Sequence, residues 1–270
     1  AIIETIKPSP IEIPPKCDHF EKCGGCTSQT LPYHHQLDLK ANQVKKILDD
    51  GGIKNFEFLG IEPSPLEFQY RNKMEFSFGD EIKGGPLELG MHQKGKFHEI
   101  LTTTGCQIVD EDFGRILETV LDYFKEKGIP HFHKITHRGI LRHLVIRKAH
   151  RTGQLLINLV TTSQQELELE DLRIKLLSLS LSGKIMGILH TINDGLADIV
   201  QSDETKILYG QNFITEEILG LSFKISAFSF FQTNSLGAER LYSIVKDFAG
   251  STQNKTIFDL YCGTGTIAQI

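Results

Sequence analysis

No stretch of these 270 residues is apolar for long enough to span a bilayer. The opening residues, AIIETIKPSPIEIPPK, lack the charged-then-apolar pattern of a secretory signal and read as an extended, proline-rich segment. These absences argue against a membrane partner and make the cytoplasm the expected location. Cysteine is scarce: five residues, Cys17, Cys23, Cys26, Cys106 and Cys262. An odd count in a chain of cytosolic character argues against a disulfide framework. There is no internal repeat and no low-complexity tract, and with 23% charged residues long disorder is not expected. At 40% hydrophobic residues the chain can bury a sizeable core in one or two domains. A monomer is the default expectation.

A net charge of −5 argues weakly against nucleic acid as a partner. The local distribution points the other way. Residues 131–151 contain Lys134, Arg138, Arg142, Arg147, Lys148 and Arg151, five histidines and no acid, while acids gather at Glu166, Glu168, Glu170 and Asp171. Such a run is compatible with a phosphate backbone or with a solvated hairpin face. His131, His133 and His137 have no acidic neighbour in sequence and read as surface or RNA-facing residues rather than as a metal set.

Leu37, Ala41, Val44 and Leu48 recur at helical spacing ahead of Gly51-Gly52, and Pro63 and Pro65 mark a loop. Alternation at Met74, Phe76 and Phe78 predicts a strand over 70–79. Phe113, Leu117, Val120 and Phe124 predict a helix over 112–127, ended by Gly128-Ile129-Pro130. Residues 140–147 and 154–161 read as strands flanking a connection at His150-Arg151-Thr152-Gly153. A helix over 171–181 follows. The stretch 185–228 is mostly β-like, with turns at Asn193-Asp194-Gly195 and Gly210, and 236–248 reads as an amphipathic helix. Residues 256–260, TIFDL, read as a short strand entering a glycine-rich turn. The expected class is α/β with α+β character: a β-rich middle followed by the start of an α/β domain.

Four motifs carry chemistry. Cys17-x5-Cys23-Gly-Gly-Cys26 packs three thiols into ten residues, which points to a metal site. Gly24 and Gly25 allow the tight turn that aims Cys23 and Cys26 at one centre. Cys106 is the candidate fourth ligand, with a plain core cysteine as the alternative. The spacing matches neither the paired Cys-x2-Cys zinc pattern nor the bacterial ferredoxin run, so zinc and iron–sulfur both stay open. Next, Asp259-Leu-Tyr261-Cys-Gly263-Thr-Gly265-Thr266 follows the expected strand; it fits close approach by a nucleotide-like cofactor, or a structural turn. Phe230-Phe231-Gln232-Thr-Asn234 precedes a helix, which physics alone explains as two core aromatics and a cap at Asn234 or Ser235. Finally, Arg71 and Lys73 lie on one side of a strand, able to hold phosphates or simply solvated.

In the order CDHFEKCGGCTSQ, QLDLKANQVKKIL, QYRNKMEFSFG, LGMHQKGKFHEI with GCQIVD, LRHLVIR, FSFFQTNSLGAERLY and FDLYCGTGTI, the chain resembles the bacterial RNA 5-methyluridine methyltransferases, specifically the iron–sulfur 23S ribosomal RNA (uracil-5-)-methyltransferases. The resemblance covers Cys17 to the last residue. It implies that Cys17, Cys23, Cys26 and Cys106 hold a structural 4Fe–4S cluster. It also implies that Gln232, Tyr261 and Thr266, in a loop shaped by Asp259, Gly263 and Gly265, bind S-adenosylmethionine. Arg71, Lys73, Arg138 and Arg142 are the candidate RNA contacts. The implied domains are a β-rich iron–sulfur and RNA-binding unit (1–28 and 61–229) and the start of a Rossmann-like methyltransferase domain (29–60 and 230–270), onto which the helix after the cysteines would pack.

The implied chemistry is addition of a cysteine thiolate to C6 of an unstacked uracil, attack of C5 on the sulfonium methyl, and removal of the C5 proton by a base. The target would be single-stranded or loop RNA, with ribosomal RNA favoured by analogy through the cluster. The family's N-terminal β-barrel, its catalytic cysteine and its glutamate base have no match in these residues, so no catalytic residue is named here and the rest of that domain is expected downstream. Cys262 matches the cofactor loop rather than the nucleophile motif. The alternatives are a non-catalytic, metal-organised RNA-binding module, a transfer RNA uracil-5-methyltransferase and a zinc-ribbon-like protein. A radical enzyme would need a Cys-x3-Cys-x2-Cys run, which is not present.

Overall fold

The computed structural model describes residues 6–196 and 204–270. The expected extended start at 1–5 and the part of the β-like stretch at 197–203 lie outside the described residues. Seven strands form one sheet: β1 (Lys73–Asp80), β2 (Leu87–His92), β3 (Ile100–Thr102), β4 (Leu141–Lys148), β5 (Gln154–Thr161), β6 (Lys184–Ile192) and β7 (Glu204–Gly210). Their spatial order is β3-β2-β1-β4-β5-β6-β7. Neighbours pair antiparallel except β5 and β6, which are parallel and joined through the short helix α3 (Glu170–Leu177). The result is a mixed α/β fold. Among the described residues no helix is long and apolar enough to cross a membrane.

Helix α2 (Glu111–Lys127) covers one face of this sheet. The Asp110 carboxylate accepts from the Asp112 N–H at 2.9 Å, acids stand in the first turn, lysines stand in the last, and Gly128 closes the helix at φ 64°. Phe113, Ile116, Leu117, Val120 and Phe124 project from one stripe into Phe76, Phe78, Leu144, Ile146 and Ile157, and α3 adds Leu172 and Leu176. The opposite face is covered by a hairpin, β8 (Phe213–Ile218) with β9 (Leu221–Ser226), and by α4 (Ser235–Ala249). Leu156 and Leu189 of the sheet meet Ile214, Phe223, Ile225, Phe231, Ala238 and Tyr242 there. Covered on both sides, β4 and β5 are buried along almost their whole length.

One expectation needs correction, and two further features go beyond what the pattern implied. Residues 256–260 form no strand; no strand among the described residues pairs with them, and Ile257, Phe258 and Leu260 are exposed. Strands β2 and β3, which no strong alternation announced, do form, because β2 pairs with the edge of β1 and β3 in turn with β2. Helix α1 (Tyr33–Asp50) forms as expected but has no fully buried residue, and Leu39, Val44 and Ile47 are exposed.

The basic run also differs from the expected face. Arg142, Arg147 and Lys148 lie on the central strand β4. Arg142 is 4% exposed; its guanidinium donates to the Asn193 carbonyl at 2.9 Å and stacks 4.6 Å over Phe132. It therefore holds the Asn193–Gly195 turn and does not face RNA. Lys148 donates to Asp110 and Asp112, both at 2.7 Å. Asp112, 1% exposed, also accepts from the Ser182 and Gly183 N–H groups at 2.9 Å. Burial would raise its pKa, but the Lys148 ammonium and the two amides override it and hold the carboxyl below the ordinary range.

Asp112→Asn leaves the Lys148 ammonium short of a partner in a largely buried site and lowers the unfolding free energy by about 3 kcal/mol in urea titrations. The wild-type contribution is present above the ordinary carboxylate value of 3.8 and is lost as pH falls through the lowered folded value. A variant whose acid-side stability profile overlays wild type would contradict this account.

Candidate functional site

The loop carrying three cysteines is built from tight turns. The Cys23 and Lys22 N–H groups donate to the His19 carbonyl at 2.7 and 3.1 Å, and the Phe20 N–H donates to the Cys17 carbonyl at 3.0 Å. The loop is clamped to the end of β2: the Gly24 N–H donates to the His92 carbonyl at 2.9 Å, and the Lys94 N–H to the Lys22 carbonyl at 2.7 Å. A Cβ at Gly24 would stand 3.0 Å from the His92 oxygen that its own N–H bonds, so glycine makes this approach without crowding. Cys106 arrives separately, on the segment between β3 and α2. That segment lies so close to α2 that a Cβ at Gly114 would reach within 2.2 Å of the Thr104 carbonyl oxygen.

These two segments bring Cys17, Cys23, Cys26 and Cys106 to the wall of one cavity of about 150 Å³, together with Gln29, Arg71, Met74, Met91 and Thr103. All four are free thiols. Burial, with smaller repulsion from the neighbouring thiols, pushes the Cys106 thiol up to about 11 and raises that of Cys23. Among the described residues no three His, Cys, Asp or Glu side chains come close enough to share one metal ion. Two buried polar atoms on the cavity wall, Gln29 Nε2 and Thr103 Oγ1, have no hydrogen-bond partner among the described residues. Four soft sulfur donors around a void, with spare donors beside them, fit a sulfur-bridged group larger than one ion.

A second cavity, about 370 Å³, adjoins the first and shares Arg71, Met74 and Met91 with it. Lys73, Glu75, Arg147, Ser229, Phe230, Phe231 and Thr233 complete its lining. Arg71 and Lys73 are thus brought together as expected, with Lys73 paired to Glu75 and the Arg71 Nε donating to the Lys73 carbonyl at 2.9 Å. Sequence reasoning missed Arg147 and Phe230 here. Arg147 donates to the carbonyls of Ala227 and Ser229, which brings the 227–231 segment against the sheet. Phe230 is 69% exposed at the cavity, so only Phe231 is the core aromatic expected of both. Arg138 is exposed at the tip of a separate loop.

The Gln232 segment is anchored through Asn72, whose amide donates to the Gln232 carbonyl at 2.9 Å and to Ser235 Oγ at 2.8 Å. Asn234 caps α4, accepting from the Gly237 N–H at 2.8 Å. The glycine loop follows α4. Tyr261, Gly263 and Gly265 all have positive φ, the Gly265 N–H donates to the Cys262 carbonyl at 2.8 Å, and Asp259 accepts from the Ala268 N–H at 3.2 Å. Thr266 is buried at the start of α5 (Thr266–Gln269), whereas Tyr261 is fully exposed. The loop is preformed. Its hydrogen bonds are local, and none of those described joins it to the Gln232 side chain.

No family model matches the chain. It is 52% identical over 269 residues to an uncharacterized RNA methyltransferase of Clostridium tetani, across 100% of this chain and 59% of that protein. An uncharacterized RNA methyltransferase of Caldanaerobacter subterraneus is 53% identical, across 98% and 59%. The chain is a relative of RNA methyltransferases. Among solved structures it resembles the tRNA (uracil-54, C5)-methyltransferase of Pyrococcus abyssi in complex with S-adenosyl-L-homocysteine, with TM-score 0.74 and 26% identity across 97% of this chain and 57% of that one. The chain thus spans about three fifths of the length of the curated relatives it matches.

The raised Cys106 thiol makes the metal-free chain sensitive to alkali. A folded value of about 11 against an ordinary 9.0 means that the stability it contributes is complete below about pH 9 and is lost as pH rises through about 11. Thermal melts should show this loss in the wild type and a smaller one in Cys106→Ala; equal losses would remove Cys106 as the cause.

Proposed function

We propose that this chain is part of an S-adenosylmethionine-dependent RNA methyltransferase that modifies C5 of a single-stranded or loop uridine in ribosomal RNA, and that carries a 4Fe–4S cluster on Cys17, Cys23, Cys26 and Cys106. The observation that carries the reading is the convergence of four thiols on one cavity beside a cation-lined one, in a chain similar from end to end to RNA methyltransferases. Thiolates suit zinc as well as a cluster, and the preference for a cluster rests on the resemblance of the cysteine motif. A cluster would supply a rigid tie between the 17–26 loop and the segment bearing Cys106.

S-adenosylmethionine supplies a methyl group on a positively charged sulfur. The loop at Asp259, Tyr261, Gly263, Gly265 and Thr266 would accept it, since positive φ at three of these positions turns the backbone around a ligand without further rearrangement. Gln232, held by Asn72, would face the same site. Arg71 and Lys73 would attract the phosphates of an unstacked RNA segment, and the exposed ring of Phe230 offers a stacking surface for a base. Arg138, on its exposed loop, would be a peripheral phosphate contact. A transfer RNA substrate is the second reading, favoured by the solved neighbour, which is a tRNA enzyme.

The first test is anaerobic purification with iron and sulfide analysis. About four irons per chain and a broad visible band, both lost in Cys26→Ala, are expected; a colourless protein with one zinc would count against the cluster. The second test offers the full-length protein S-adenosylmethionine with ribosomal RNA fragments and with transfer RNA. Methyl transfer to uridine C5 in the ribosomal fragment is expected, transfer only to transfer RNA would establish the second reading, and transfer to neither would overturn both.

A further inference from the structure

Gln29 and Thr103 stand out among the polar groups around the thiol cavity. Gln29 Oε1 accepts the Cys17 N–H at 3.1 Å, which fixes the direction of the amide and leaves Nε2 buried on the cavity wall. Thr103 is 2% exposed, and its hydroxyl is equally buried and unpartnered. Two other nitrogen-bearing chains on the wall are differently placed: Arg71 Nε donates to the Lys73 carbonyl and Gln107 Nε2 to the Gly105 carbonyl at 3.0 Å, while His19 also lines it. A buried N–H or O–H that lacks an acceptor is costly, and valine would fill the Thr103 position with the same shape and no such cost.

Four thiol sulfurs line the same cavity as these two donors. Neutral thiols accept weakly, whereas thiolates and bridging sulfides bound to iron carry negative charge and accept well. We propose that Gln29 Nε2 and Thr103 Oγ1 are hydrogen-bond donors to the sulfurs of the iron–sulfur group and set its reduction potential. This rests on the cluster reading above. A donor to sulfur stabilises the reduced, more negative cluster more than the oxidised one, so each donor raises the potential. Both residues act through the cluster and are positioning residues.

The test uses the full-length protein, loaded anaerobically, with redox titration followed by visible absorption and electron paramagnetic resonance. Thr103→Val should keep its iron and sulfide and shift the midpoint to a more negative value, by roughly tenfold in the one-electron equilibrium, or about 59 mV. Thr103→Ser should restore the wild-type value. Gln29→Leu should shift in the same direction, although it also releases the Cys17 N–H, so the Thr103 pair decides. If Thr103→Val fails to load while Thr103→Ser loads, the hydroxyl is needed and the inference stands. If both fail, Thr103 serves packing and the inference falls. A loaded Thr103→Val with an unchanged midpoint overturns the donor role and leaves the cluster intact; it would assign the hydroxyl to a buried water. A wild-type protein without iron overturns both.

Discussion

Three cations on the central strand β4 constrain everything around them. A buried charge is tolerated only with partners, and β4 lies between β1 and β5 with both faces covered. Arg142 is satisfied by the Asn193–Gly195 turn, Arg147 by the carbonyls of Ala227 and Ser229, and Lys148 by Asp110 and Asp112. Each partner comes from a different element, so the three contacts fix the Asn193–Gly195 turn, the approach to α4 and the start of α2 relative to the sheet.

The position of the candidate site follows from those ties. Arg147 draws residues 227–229 against β4, which brings Phe230 beside Arg71 and Lys73. Asn72 completes the join by bonding the Gln232 carbonyl and Ser235, and Ser235 in turn donates to the buried Glu216 at 2.6 Å. Glu216 accepts from the His150 and Arg151 N–H groups, so the β4–β5 connection, the β8–β9 hairpin and α4 share one hydrogen-bonded centre. Lys148 and Asp112 act similarly at the start of α2, just after the segment that bears Cys106.

The thiol cavity shows how a site can be built from weak local preferences. The 17–26 loop has no helix and no named strand; its turns hold because the Gly24 N–H finds a β2 carbonyl and because Gly24 has no side chain to keep that carbonyl away. Cys106 meets it only because Gly114 lets α2 press against the Thr104 backbone. Burial then raises the pKa of the Cys106 and Cys23 thiols at this cavity.

Periodicity alone located α2, β1, β4 and β5, because each places its apolar residues on faces that the core covers; it located α4 too, but the expected face of Leu241, Ile244, Val245 and Phe248 is exposed and the core takes Ala238 and Tyr242 instead. The cysteine spacing marked a metal-site candidate, and Gly263 and Gly265 marked a turn with positive φ. Those features are local: they depend on residue type and separation along the chain. The short strands β2 and β3, the exposure of Phe230, the burial of Arg142 and the irregular backbone at 256–260 were decided by tertiary structure. A strand exists only where a neighbour accepts its hydrogen bonds, and a cation is a phosphate ligand or a structural pin according to which face of the sheet is covered. The sequence determined which groups were available for chemistry; the packing decided which of them face a cavity.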